Sequence, residues 1–218
     1  MDEKVIVYKI NTPNKEAPLD RKEFYDSQIK QYKKNSRPSL AVELVDIFLF
    51  NDYGELLVQM RSKTKRHNPN LQDKSIGGHV KWGDTADYTV MVETVQELKV
   101  PSIVLRTNSD FIKTYNLLRD YIDTVAIVKH IDTRILKLPK LLDGEKVVIG
   151  NKVNLYFGVY HGRVKAEDRE AKGVLNYSIP DLMDEVNEFP EVFTDDLKVM
   201  LKLYHDQMMD FINIIKKK

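Results

Sequence analysis

The stretch GGHVKWGDTADYTVMVETVQELKV, Gly77 to Val100, decides how this chain is read. Two adjacent glycines and a third at Gly83 mark tight backbone, and Thr85 then stands where a hydroxyl can cap a helix, with Tyr88 three residues on. The spacing predicts a helix to about Lys99, stopped by Pro101. Within it Glu93 and Glu97 are four residues apart and share a face, with Gln96 on the same edge. Oxygen ligands so arranged suit Mg2+ or Mn2+, which keep several waters and bridge to substrate phosphates. Such pairs also occur on solvated helix faces, so the flanking segments must decide.

Upstream, Leu40 to Phe50 (LAVELVDIFLF) is a strand by composition, and Asn51-Asp52-Tyr53-Gly54 turns it into a second strand, Glu55 to Met60. Arg61 to Asn70 is a polar loop carrying Arg61, Lys63, Lys65 and Arg66, side chains that suit phosphate oxygens or simply face water. Trp82 and Tyr53 are the aromatics placed to stack on a base or ring, with packing on the helix as the alternative for Trp82. At the N-terminus, Val5 to Ile10 reads as an edge strand and Leu19 to Lys34 as an amphipathic helix ended before Pro38.

Downstream, a short helix is expected over Ser109 to Leu118, and strands over Tyr121 to His130 and Lys152 to Tyr160. A helix enters near Pro180, and a long one runs from Thr194 to about Ile215. Leu136 to Asp143 has no clear assignment, and the sequence assigns no role to Leu136 to Gly150. The last helix carries an apolar stripe, Leu197, Met200, Leu201, Tyr204, Met208 and Phe211, which packs either on its own domain or on a second copy in a homodimer. Strands and helices in this order indicate layered α/β packing.

Composition narrows the classes. The chain has 218 residues with 42% hydrophobic and 31% charged, enough to bury a real core. Its 34 basic and 33 acidic residues give a net charge of +1, so the balance favours neither nucleic acid nor a membrane surface. There is no cysteine, which removes disulfides, thiolate nucleophiles and cysteine-bound metals. The N-terminus does not resemble a signal peptide and no stretch has the length of a membrane span, so the cytoplasm is the expected location.

With hairpin, basic loop, Gly-Gly turn and acidic helix in this order, the chain resembles the Nudix family. The family box is a Gly, five residues, Glu, seven residues, then Arg-Glu-apolar-any-Glu-Glu-any-Gly-apolar, and with Gly78 as its first residue the spacing fits without a gap. Asp84 then takes the first Glu position, Glu93 the Glu after Arg, Gln96 and Glu97 the Glu-Glu pair, and Val100 the closing apolar position. Four positions depart from the pattern. Val92 replaces the Arg that holds the glutamates in place, Gln96 a glutamate, Thr94 an apolar residue and Lys99 the Gly. An amide lends a metal one neutral oxygen but no charge.

The stretch from Arg37 to Val100, and more faintly Leu155 to Pro190 with the Phe193 to Leu197 entry of the last helix, resembles the subgroup that includes isopentenyl-diphosphate isomerase. Gly77 stands where the isomerase carries its reactive cysteine, so isomerase chemistry is not expected. His79 aligns with a metal-binding histidine of that enzyme, its alternative being a structural hydrogen-bonder. Glu170 lies where many family hydrolases carry a loop carboxylate that helps activate water, the alternative being an ordinary charged loop.

The resemblance implies an α/β/α sandwich with a mixed sheet. It implies one domain over 1–218, with an N-terminal strand and helix at 1–36, a core at 37–190 and a long C-terminal helix at 191–218. The implied activity is Mg2+-dependent (or Mn2+-dependent) cleavage of a diphosphate bond in a nucleoside diphosphate joined to another group. Glu93, Gln96, Glu97 and Glu170 are the expected catalytic residues. The metal set is Glu93, Glu97, Gln96 and His79, and the substrate contacts are Arg61, Lys63, Lys65 and Trp82. Gly77, Gly78 and Asp84 form the motif backbone. The four departures support a second reading, a Nudix-fold module that senses a nucleotide or phosphorylated metabolite without cleaving it.

Overall fold

The run Leu40–Phe50, apolar but for Glu43 and Asp46, forms an eleven-residue strand buried along nearly its whole length. The computed structural model describes residues 3–11, 17–142, 144–163 and 171–216, with only the backbone of 171 and 172. In chain order the elements are β1 (Lys4–Val5), β2 (Val7–Lys9), β3 (Leu19–Asp20), α1 (Arg21–Asn35), β4 (Leu40–Phe50), β5 (Leu56–Arg61), β6 (Gln72–Asp73), β7 (Ile76–His79) and α2 (Ala86–Leu98). They continue with β8 (Ser102–Leu105), α3 (Asn108–Leu118), β9 (Ala126–Leu142), β10 (Glu145–Val159), β11 (Ala171–Tyr177), α4 (Ile179–Glu188) and α5 (Asp195–Lys216).

The sheet is mixed, in the order β11-β5-β4-β10-β9-β8, with β4–β10 and β8–β9 parallel and β9–β10 and β5–β11 antiparallel. Helices cover both faces, which gives the expected α/β/α layering. The period of two in β4 divides its side chains between the layers. Val42, Leu44, Phe48 and Phe50 join Phe24 of α1, Phe111 of α3, Leu182 of α4 and the inner face of α5. Val45, Ile47 and Leu49 face the other way and join Val90 and Leu98 of α2. On the α5 side, Phe157 sits 6.1, 5.9 and 5.7 Å, ring to ring, from Phe48, Phe50 and Phe211. A buried ring of this kind contributes roughly 3–5 kcal/mol, judged by the cost of truncating it to alanine.

Two expectations need correction, and one open alternative is decided. The strand expected at Tyr121–His130 starts only at Ala126, because Arg119–Tyr121 closes a 3-10 turn after α3. It also runs on to Leu142 and pairs with β10, so residues 136–142 and 145–150 lie in the far half of a long β9–β10 hairpin. Second, β4 and β5 pair only at Phe50 and Leu56. Farther back, the edge of β4 on that side pairs with β7 over Leu44–Ile47 and with β2 over Leu40–Val42, while β5 diverges to pair with β6 and β11. That divergence opens the cleft described below. Of the two alternatives for the α5 stripe, packing on its own domain is the one observed: Leu197, Met200, Leu201, Tyr204, Met208 and Phe211 are all buried in the core. It therefore offers no surface for a homodimer. Among the described residues no helix is long and apolar enough to cross a membrane.

Candidate functional site

Helix α2 begins where the hydroxyl of Thr85 accepts a 3.1 Å hydrogen bond from the Tyr88 amide, a cap worth about 1 kcal/mol. It ends at Lys99 in the left-handed conformation, φ +60°. Glycine adopts that conformation without a Cβ clash, which is the physical reason for the family glycine at this position. Lys99 tolerates it with its ammonium bonded to the Gln96 carbonyl at 2.9 Å. Thr94, in place of an apolar residue, is fully buried, and its hydroxyl is satisfied by Ser102 Oγ at 2.9 Å and the Met91 carbonyl at 3.1 Å. Two of the four departures are thus absorbed by local geometry.

Glu93, Gln96 and Glu97 line one polar cleft of about 310 Å³. Gly78, on β7 opposite Val45, lets Glu93 approach the sheet: a Cβ there would fall 2.1 Å from Glu93 Oε1. Gln59, buried on β5, donates a 2.9 Å hydrogen bond from Nε2 to Glu97 Oε2. Val92 leaves the box without its arginine, and Gln59 supplies a neutral hold on Glu97 from outside the box.

The far wall of the cleft is a buried charge cluster that the sequence reading did not single out. Lys74 Nζ lies 3.0 Å from Asp46, 3.6 Å from Asp73 and 3.7 Å from Asp196. Lys140 lies 3.2 Å from Asp196, and Arg61 bonds Asp73 at 3.0 Å. Gly77 leaves room for it, since a Cβ there would fall 2.8 Å from Lys74 Cε. Burial opposes the charge on Lys74, but the three aspartates outweigh it and hold the ammonium above its usual range. Burial pushes Asp46 up to about 6 despite Lys74. Asp73, equally buried, stays below the usual carboxylate range because Lys74, Arg61 and the Thr194 hydroxyl bind its charged form. A charged residue inside an apolar strand, as Asp46 is in LAVELVDIFLF, was the available signal.

Other expected residues fall differently. Arg61 and Lys65 line the cleft, whereas Lys63 is exposed and does not. Trp82 is 44% exposed and outside the cleft lining. Asp84 is also outside it, and its amide closes a turn onto the Lys81 carbonyl at 3.0 Å. His79 lines the cleft, and its Nε2 is hydrogen-bonded to the Tyr25 hydroxyl at 2.8 Å. Burial and then Arg21 and Lys140 hold this imidazole well below its usual pKa. Glu170 lies outside the described residues. The tip of the β9–β10 hairpin braces the basic loop: Asn68 Oδ1 accepts from the Leu141 amide at 2.9 Å, and His67 bridges to Leu142.

Two carboxylates and an amide oxygen on one helix face are a sufficient protein share for Mg2+, which takes one or two carboxylates and completes its shell with water and phosphate. No group of three His, Cys, Asp or Glu with metal-holding geometry occurs among the described residues. The donor set therefore fits a metal shared with substrate rather than an all-protein cage.

No protein-family model matches the chain. It is 28% identical over 115 residues to an uncharacterized Nudix hydrolase of Nostoc, a match covering 47% of this chain and 68% of that protein. A 59-residue stretch is 39% identical to a Nudix hydrolase of Deinococcus radiodurans, covering 27% of this chain and 34% of that one. A crystal structure from Deinococcus radiodurans superposes with a TM-score of 0.61 at 16% identity, over 92% of this chain and 98% of that chain, a likeness of fold. The sequence relatives support the Nudix hydrolase superfamily, and the structural neighbour supports the α/β/α fold.

Proposed function

We propose, from this support for the Nudix superfamily, that the chain is a divalent-metal-dependent hydrolase of a diphosphate bond in a nucleoside diphosphate joined to another group. The observation that carries the reading is the placement of Glu93 and Glu97 on one face of α2, turned into a cleft whose lining also holds Arg61 and Lys65. A bound Mg2+ or Mn2+ would neutralise charge developing on the phosphate oxygens. Glu93 and Glu97 would hold it, with Gln96 as a weaker oxygen donor. Gln59 positions Glu97 through their hydrogen bond. Arg61 and Lys65 face the phosphates as cations, and the Asp73 contact fixes the Arg61 guanidinium. Turnover would be slow for the family because one carboxylate of the box is an amide, Gln96, so the metal would be placed less tightly. With Gly77 at the cysteine position of isopentenyl-diphosphate isomerase and no cysteine in the chain, the likeness to that subgroup extends to the scaffold and not to isomerase chemistry.

The second reading, a sensor that binds without cleaving, draws on the Val92 and Gln96 departures. A panel of ADP-ribose, other nucleotide sugars, dinucleoside polyphosphates and nucleoside triphosphates, with Mg2+, Mn2+ or EDTA, separates the two. Metal-dependent product release supports the hydrolase. Tight binding of a panel member without product supports the sensor.

A further inference from the structure

Helix α2 carries its polarity inverted. Tyr88, Met91 and Val95 are 50, 40 and 49% exposed and Val92 is half-buried, while Thr89 and Thr94 are buried on the inner side. These four apolar positions follow the i, i+3, i+4, i+7 spacing that a helix normally buries, yet they join neither apolar core. At about 100° per residue Tyr88 and Val95 stand nearly in line along the helix, with Met91 and Val92 about 50° to either side, and Glu93 and Glu97 project from the opposite side. The apolar stripe and the carboxylates thus occupy opposite faces of one helix.

We propose that the outer face of α2 is a dimer interface, on which a second copy of the chain packs its own α2 antiparallel about a two-fold axis between Met91 and Val92. The occupant follows from the order of the side chains. That axis sets Tyr88 of one copy against Val95 of the other, a large side chain against a small one, and Met91 against Val92. In the same register Asp84, just ahead of the helix, meets Lys99 at its end, and by symmetry the contact is made twice. Neither Asp84 nor Lys99 pairs with an opposite charge among the described residues: the Asp84 amide closes the turn onto Lys81, and the Lys99 ammonium bonds the Gln96 carbonyl. The antiparallel arrangement also brings opposite ends of the two helix dipoles together. A shallow crossing of about 20° keeps the ends within reach of each other along the whole stripe. One helix face per copy is small beside the roughly 800 Å² per partner of a standard interface, so the expected Kd is on the order of 10–100 µM. The contact uses α2 rather than α5, leaves Glu93 and Glu97 facing away from it, and stands independently of the hydrolase reading.

Sedimentation of the full chain from about 1 to about 500 µM, a range that brackets this affinity, is the test. Wild type should pass from monomer to dimer mass. Asp84→Lys places lysine against lysine twice across the axis, and Lys99→Asp places aspartate against aspartate twice, so each variant should self-associate about tenfold or more weakly. Mixed in equal amounts, the two variants should recover near wild-type affinity, because both contacts then join a lysine to an aspartate. A chain that had merely lost its fold could not recover on mixing. Met91→Glu, which sets two carboxylates beside the axis, should also weaken association by about tenfold or more, with a wild-type circular dichroism spectrum showing that the monomer is intact. Monomer mass throughout overturns the interface. So does a dimer that either charge variant or Met91→Glu leaves unchanged, and so does a mixture that associates no better than its components.

Discussion

Gln59 Nε2 donates a 2.9 Å hydrogen bond to Glu97 Oε2, joining β5 to the carboxylate face of α2. In the family pattern an arginine inside the helix would hold the glutamates, and here Val92 occupies that place. Gln59→Leu keeps the approximate volume and removes the donor. On the hydrolase reading kcat should fall by about 10–100-fold, the range for losing a partner that orients a metal ligand, with a smaller change in KM. A steady-state comparison checks this, and equal loss in KM alone would count against a positioning role.

Gly78 leaves the space that the Glu93 carboxylate occupies. In Gly78→Ala the new methyl displaces a flexible side-chain end, so the fold should survive while Glu93 swings out. The expected outcome is a wild-type far-ultraviolet spectrum with hydrolysis reduced by about a hundredfold.

The helix after the glycines, its cap at Thr85 and its end near Lys99 were legible because a capping hydroxyl and the proline at 101 leave local chemical marks. The shared face of Glu93 and Glu97 was legible from spacing, but its role needed the flanking segments. Gln59, Lys74 and Lys140 were not, because they reach the site through strand divergence and the far end of a hairpin, contacts between residues distant in sequence. Strands β8 and β11 escaped because each is short and has no alternating pattern of its own. The α5 stripe shows the converse: its pattern declared a buried face but not whose core would bury it.

Lys99 offers a stability test. Lys99→Gly relieves a left-handed residue and restores the family glycine, and should stabilise the protein by about 0.5–1 kcal/mol after the entropy cost of glycine is set against the relief. For a chain of this size that is a rise in Tm of roughly 1–4 °C, measured by calorimetry. An unchanged or lower Tm contradicts the conformational argument.

His67 sets a pH dependence. Burial with Lys140, Arg21, Arg61 and Arg66 pushes it down to about 2 from an ordinary 6.5. The unfolded chain binds this proton first, so the contribution to stability is present above about 6.5 and is lost as pH falls through the window toward 2, at up to about 1.4 kcal/mol per pH unit. Denaturant unfolding between pH 7 and 5 should show wild type losing stability faster than His67→Gln. Parallel curves would show that the imidazole is not under this field.

The most direct measurement follows one diphosphate substrate by phosphorus NMR with Mg2+, wild type beside Glu97→Gln and both beside an EDTA control. A member of the nucleoside-diphosphate panel should be cleaved by wild type with Mg2+ only, and Glu97→Gln should lower the rate by about a hundredfold or more while the protein stays folded. Cleavage that persists in Glu97→Gln, or in EDTA, would contradict the assignment of chemistry to the carboxylate face of α2.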